Sequence, residues 1–241
     1  AKLGDEFNRL FNSIFDHAEE CMDIIRILGK RHAGYTRQEL AEKAKMIPNG
    51  GFTKMLKALI SSDFLIKYVP FGSSNREERY KLKDSFCWFW LHFKENKNIK
   101  QEDYWQHHLK ESELTAWRGI AFEEVCLQHI RQIKQALQIG GISSMESAYI
   151  VRGEKDTEGL QIDLIIDRSD DVANLCEMKY SKAPYTITSS YATHLIQRKE
   201  AMEALFCDKT FLLTYIGSSP LAENEYTDTF PCQVTLDGLF L

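Results

Sequence analysis

The 241-residue sequence has no apolar run approaching the ~20 residues that a membrane-spanning helix needs, so a helical membrane protein is excluded. Its first residues are polar and its first helical segment is heavily charged, which argues against a secretory signal. It has no CxxC: the six cysteines (21, 87, 126, 176, 207, 232) are scattered, several of them inside apolar runs. That pattern excludes a disulfide framework and a zinc knuckle, and predicts reduced, mostly buried thiols in a cytoplasmic protein. His107-His108, the one adjacent histidine pair, is read as structural. No GxxxxGK[ST] phosphate loop occurs, which removes ATP hydrolysis by that route.

What is present is the composition of an ordinary soluble globular protein, long enough for one large domain or two smaller ones. The net charge of −5 conceals an asymmetry. Residues 1–100 carry 18 Lys+Arg against 13 Asp+Glu, whereas residues 101–241 carry 12 against 22. A mildly basic first half is compatible with approach to nucleic acid, while the acidic second half is not a strong DNA binder unaided.

In the first half, apolar residues recur at helical spacing over Phe7–Phe15 and Cys21–Leu28, with Gly29 as a stop. Thr36-Arg37-Gln38-Glu39 fits a capping box that opens a short helix. Pro48-Asn49-Gly50-Gly51 breaks the chain before a third helix, with Met55, Leu56, Leu59 and Ile60 inward and Lys54 and Lys57 outward. Phe64–Val69 and Arg79–Leu82 read as strands joined by a turn at Gly72–Asn75. Helix, short helix, helix and hairpin is the winged helix-turn-helix order, expected over residues 1–95. In that fold the third helix enters a DNA groove and the hairpin meets the backbone. The candidate contacts are Thr53, Lys54 and Lys57 on the helix and Arg76 and Arg79 on the wing. An equally weighted alternative is the same fold used to bind protein. Phe86–Phe93 is dense in aromatics and follows a helix N-cap at Asp84, so a buried helix at the seam between the halves is expected. Residues 96–115 are read as the connection.

The second half, residues 116–241, holds the chemistry. Trp117–Cys126 opens a long helix whose apolar stripe is Phe122, Cys126, Ile130, Ile133 and Leu137. Glu123 falls on the side turned toward the sheet and Glu124 on the solvated side. A buried carboxylate is costly without a partner, so Glu123 needs a cation. Strands are expected at Ala148–Val151, around Asp163 and around Glu177, with Gly153–Gly159 as a charged turn. A helix is expected at Ser189–Phe206 with Leu195, Ala201, Met202 and Leu205 inward, and a buried strand at Lys209–Ile216. A last strand and short helix cover Cys232–Leu241.

Within Gln161–Tyr180, Asp163 sits in an alternating apolar run, and Glu177 and Lys179 share a strand face two residues apart. A turn centred near Ser169–Asp171 sets Asp163 roughly across from Glu177, within the ~4.5–5.5 Å of opposed Cβ atoms. Two carboxylates so placed suit Mg²⁺ or Mn²⁺, and the lysine suits a charged phosphate. This pattern is similar to the D…ExK signature of phosphodiester-cleaving nucleases. The order helix, three strands, helix, strand resembles the α-β-β-β-α-β core of restriction-endonuclease-like proteins, an α+β fold.

Taken together, Phe7–Phe15, Trp117–Cys126, Gln161–Arg168 and Leu175–Ser181 resemble the C-terminal part of a prokaryotic family of AAA-type ATPases. In that family an ATPase domain precedes a winged helix and a PD-(D/E)xK nuclease-like domain. The resemblance implies that this sequence lacks the ATPase domain of a longer protein, with that domain and DNA as partners. It implies metal-binding roles for Glu123, Asp163 and Glu177, and a catalytic role for all three with Lys179. Gln197 is half of a Q-x-x-x-Y motif and a candidate phosphate contact, with Ala201 where the tyrosine would stand. The alternative function is a non-catalytic DNA- or partner-binding regulatory module, and a third reading is a structural adaptor.

Overall fold

A computed structural model describes residues 6–74, 77–95, 112–151 and 160–240. The chain is mixed α/β and divides into two units, Ala1–Glu111 and Ser112–Leu241.

In the first unit, α1 (Glu6–Ile14) and α2 (Ala18–Leu28) precede a two-residue strand β1 (Tyr35–Thr36), α3 (Arg37–Ala44) and α4 (Gly50–Ser61). Strands β2 (Leu65–Tyr68) and β3 (Arg79–Leu82) follow, and with β1 form an antiparallel sheet in the order β1-β3-β2. The helix starts are set by local chemistry. Thr36 and Glu39 form the expected capping box, with Glu39 N–H donating to Thr36 Oγ1 at 3.2 Å and Thr36 N–H to Glu39 Oε2 at 2.9 Å. Asn49 caps α4 by accepting from Phe52 N–H. Gly34 is required: its φ is +64°, and a Cβ there would lie 2.0 Å from the Tyr80 carbonyl oxygen. Phe7, Phe11, Ile24, Ile25, Leu56 and Leu59 centre the core. The aromatic segment forms α5 (Ser85–Phe89), capped by Asp84, and continues as a π-helical stretch at Trp90–Glu95. Cys87, Trp90 and Leu91 join the same core.

The second unit opens with α6 (Ser112–Gln128) and α7 (Ile130–Ala136), where the sequence predicts one long helix beginning near Trp117. The break falls at His129, whose Nδ1 lies 2.7 Å from the Val125 carbonyl oxygen. Strands β4 (Ser144–Val151), β5 (Leu160–Arg168) and β6 (Val172–Lys179) pair antiparallel. Helix α8 (Ser189–Leu205) then carries the chain to β7 (Thr210–Gly217), parallel to β6, and β8 (Cys232–Thr235) lies parallel to β7. The five strands stand in sequence order, β4-β5-β6-β7-β8.

Strand alternation divides this sheet's side chains between two helical layers. Leu164, Ile166, Cys176, Met178, Ile216 and Val234 pack with Phe122, Cys126 and Ile133 of α6 and α7. The intervening residues, including Ile165, Leu175, Phe211 and Leu213, are buried on the opposite face, and α8 packs on β7. Two expectations are corrected here. Glu124 is buried rather than solvated: α6 is enclosed on more than its Phe122–Cys126 side, so a single-stripe reading of it fails. On α8, Leu195 and Met202 are buried as expected, but Ala201 and Leu205 are exposed, because the inward stripe runs through positions 191, 195, 198 and 202. No helix among the described residues is long and apolar enough to cross a membrane.

Candidate metal and phosphate site

The β5–β6 hairpin fixes the site. Its register pairs Leu164 with Cys176 and Ile165 with Leu175, around a turn in which Asp171 adopts a φ of 62°. Leu164–Cys176 is the last pair of that ladder, so Asp163 and Glu177 lie just beyond it. Glu177 and Lys179 project from the sheet face that α8 covers. The β4–β5 register, in contrast, slips between Ile165 and Ile162, so strict alternation does not carry across Asp163.

Asp163 is half-buried and accepts a 2.7 Å hydrogen bond from Gln161 Nε2. A carboxylate oxygen of Glu123, on α6, lies within 4.8 Å of one of Asp163. Two oxygens on one Mg²⁺ stand about 3 to 4 Å apart when each is bonded at ~2.0–2.1 Å. Both Glu123 and Asp163 are oxygen donors of the right kind, and a modest side-chain adjustment would bring them to that spacing.

Glu177 has different company. Lys179 Nζ lies 2.6 Å from its Oε1, and the Tyr191 hydroxyl donates to the same oxygen. Arg198 Nη1 lies 3.4 Å from Oε2. Lys179 Nζ also sits 5.2 Å from the centroid of the Tyr191 ring. Burial, then the Glu177 charge, pushes the Tyr191 hydroxyl well above its usual pKa, so it remains a donor. One carboxylate therefore meets two cations, while the Glu123–Asp163 pair brings two carboxylates together.

Tyr191 and Arg198 were not among the residues singled out from the sequence. A signal for them exists: with Leu195 and Met202 they form the i, i+4, i+7, i+11 stripe of α8, and an arginine inside a buried stripe must meet an anion. The sequence reading instead favoured Gln197, which is exposed.

The candidate nucleic-acid contacts of the first unit divide. Lys54 and Lys57 are exposed on α4. Thr53 Oγ1 accepts from Arg37 Nη2 at 3.0 Å and donates to Asn49 O at 3.1 Å. Arg79 is turned inward, its side chain 15% exposed and its Nη1 3.6 Å from Glu39 Oε2, so it is not available at a wing surface. Its place on β3 next to the capping box explains the difference. Arg76, the charged turn at Gly153–Gly159, His107-His108 and most of the connection at 96–115 lie outside the described residues. All six cysteines are free and four are buried. Burial pushes the Cys21 thiol up to about 11 and that of Cys126 to about 12, so neither is a nucleophile.

No family model matches the chain, and no curated protein matches it. Among solved structures it is similar to AF1548, a protein of unknown function, with 16% identity over 48% of this chain and a TM-score of 0.34. It is also similar to protein VC1899 from Vibrio cholerae, with 12% identity over 99% of this chain and a TM-score of 0.36. The chain spans 64% of the former and 52% of the latter. Matches this distant leave function to be read from the site itself.

Proposed function

We propose that the second unit is a metal-dependent phosphodiesterase acting on DNA and that the first is a winged-helix module serving it. The observation that carries this reading is the approach of Glu123, from a helix, to within 4.8 Å of Asp163 on β5, in a sheet whose next strand carries Glu177 and Lys179 in contact. The order of α6–α7, three antiparallel strands, α8 and a parallel strand supports a restriction-endonuclease-like core. The succession of helices and the small sheet supports the winged helix, with Lys54 and Lys57 as its exposed cations.

Glu123 and Asp163 would hold Mg²⁺ or Mn²⁺, with Glu177 and the Met178 carbonyl as further oxygen donors. When bound, such an ion lowers the pKa of its water and neutralises the scissile phosphate. Lys179 then stabilises the charge that builds on the phosphate oxygens, or orients the attacking water. Tyr191 fixes the orientation of Glu177. On the resemblance drawn from the sequence, an ATPase domain of the same protein would drive or regulate this activity.

Two measurements test the reading: Mn²⁺ titration calorimetry on wild type and Asp163→Asn, and cleavage of end-labelled DNA by Lys179→Ala. Binding lost in Asp163→Asn is expected, with cleavage reduced ~100-fold or more in Lys179→Ala, at unchanged melting temperature. Absence of Mn²⁺ binding in the wild type, or undiminished cleavage in Lys179→Ala, would overturn it.

A second reading, a non-catalytic regulatory module that binds DNA or a partner, draws on the ties of Glu177 to Lys179, Tyr191 and Arg198. These occupy oxygens that a cation would use. On that reading Mn²⁺ produces no thermal shift at all.

A further inference from the structure

We infer that Arg198 is a phosphate-binding residue of this site, and that with Lys179 it forms a cationic subsite for a nucleic-acid phosphate. The inference rests on the phosphodiesterase reading and names the residue that would seat its substrate.

Three observations lead to it. The first is charge. Lys179 and Arg198 share a single carboxylate, Glu177, so this end of the site carries one positive charge in excess. Both side chains are about one-third exposed or less, at 31% and 27%. A partly buried excess cation invites an anion.

The second is geometry. Lys179 holds Glu177 at 2.6 Å, whereas Arg198 reaches it only at 3.4 Å, through one nitrogen. Among the described residues Arg198 has no other acceptor. A guanidinium has five N–H donors in a planar fork. Most of that fork is left for an incoming group, and its shape matches two phosphate oxygens.

The third is placement. Arg198 lies on the inward stripe of α8 with Tyr191, Leu195 and Met202, not on the solvated side. Solvation alone does not require an arginine there. Lys179 and Arg198 meet at Glu177, just beyond the Leu164–Cys176 pair that ends the β5–β6 ladder. The ligand class this fits is a phosphodiester, whose paired oxygens match the guanidinium fork.

The test uses the full chain and a fluorescein-labelled DNA duplex with a single-stranded overhang. Ca²⁺ replaces Mg²⁺ to suppress cleavage, and affinity is read by anisotropy over a range of salt. Arg198→Ala is compared with Lys199→Ala, which removes the same charge from the same helix but from a residue paired to Glu203 at 2.7 Å. Arg198→Lys guards against a folding defect in the alanine variant, and Mn²⁺ calorimetry is run on each protein.

We expect Arg198→Ala to weaken DNA binding ~10-fold or more and to reduce the slope of log affinity against log salt by about 0.7–0.9, the loss of one phosphate contact. Arg198→Lys should recover only part of the affinity, because a point charge lacks the fork. Lys199→Ala should change it less than ~2-fold. Mn²⁺ affinity should be kept or raised in Arg198→Ala, since a competitor for Glu177 is gone. If Arg198→Ala and Arg198→Lys bind DNA no worse than Lys199→Ala, the inference falls while Mn²⁺ binding in the wild type keeps the metal-site reading. A wild type that binds neither Mn²⁺ nor DNA overturns both.

Discussion

The two units use their charged side chains in opposite ways. In the first, Glu39 closes a capping box and meets Arg79 and Arg31, while Arg37 ties α3 to the start of α4 through Thr53, Pro48 and Asn49. These groups hold the backbone in place. In the second, Lys179, Tyr191 and Arg198 gather on Glu177, and Glu123 approaches Asp163, on a sheet whose cohesion comes from apolar side chains on both faces. Charge that serves folding is distributed along helix starts. Charge carried on a sheet that apolar packing already holds together is suited to serve a ligand.

The largest effect expected of any single change is therefore apolar. Ile216, fully buried on β7 between β6 and β8, packs with the α6–α7 layer. Ile216→Ala should lower unfolding stability by ~2–5 kcal/mol through lost transfer energy and the residual cavity. Asp163→Asn, in the same sheet, should change it by no more than ~0.5 kcal/mol. Denaturant melts of the two variants measure the contrast directly. A costly Asp163→Asn would mean that the carboxylates hold the fold after all.

How much of this was legible in the sequence follows from how local each feature is. The β5–β6 register near the turn could be placed because the alternation of Leu164 and Ile166 and the Ser169–Asp171 turn each fix it there, whereas the bulge between Ile162 and Ile165 has no local mark in the sequence. The capping box could be placed because its two partners are three residues apart. Arg79 could not: its partner Glu39 is forty residues away, and nothing in Arg79–Leu82 says which face of β3 is covered. Nor could the burial of Glu124, which depends on what encloses α6. Tyr191 and Arg198 are distant from Glu177 in sequence, yet the inward stripe of α8 held the clue. A stripe drawn through Ala201 and Leu205 instead, with Gln197 as the polar contact, hides it.

A smaller effect is expected where polarity enters the sheet's interior. Asn174 on β6 is buried and donates to Thr214 Oγ1 on β7 at 2.9 Å. Thr214→Val keeps the volume but strands the Asn174 amide, and should cost ~1–3 kcal/mol. The double change Asn174→Leu with Thr214→Val should recover part of that loss, because no orphaned donor remains. A double-mutant cycle in which the two costs simply add would remove the pair from the account of the second unit.

The smallest effect expected concerns whether a charge in the first unit works for the fold. Burial alone would raise the Glu39 carboxyl pKa, but the Thr36 N–H, Arg79, the Thr36 hydroxyl and Arg31 outweigh it, and the net shift is downward. A carboxyl whose pKa is depressed by folding contributes stability above its unfolded pKa of ~4.3. That contribution is lost as pH falls through the lower, folded value. Glu39→Gln retains a side chain able to reach the Thr36 N–H but removes the charge that Arg79 and Arg31 meet. It should therefore cost ~0.5–2 kcal/mol at neutral pH, the range of a lost helix cap. The gap from wild type should narrow as pH falls below the ordinary carboxylate range. Parallel unfolding curves at pH 7 and in mild acid would measure this. A gap that stays constant with pH would assign the cost to packing rather than charge, and would erase the difference in how the two units use their acids.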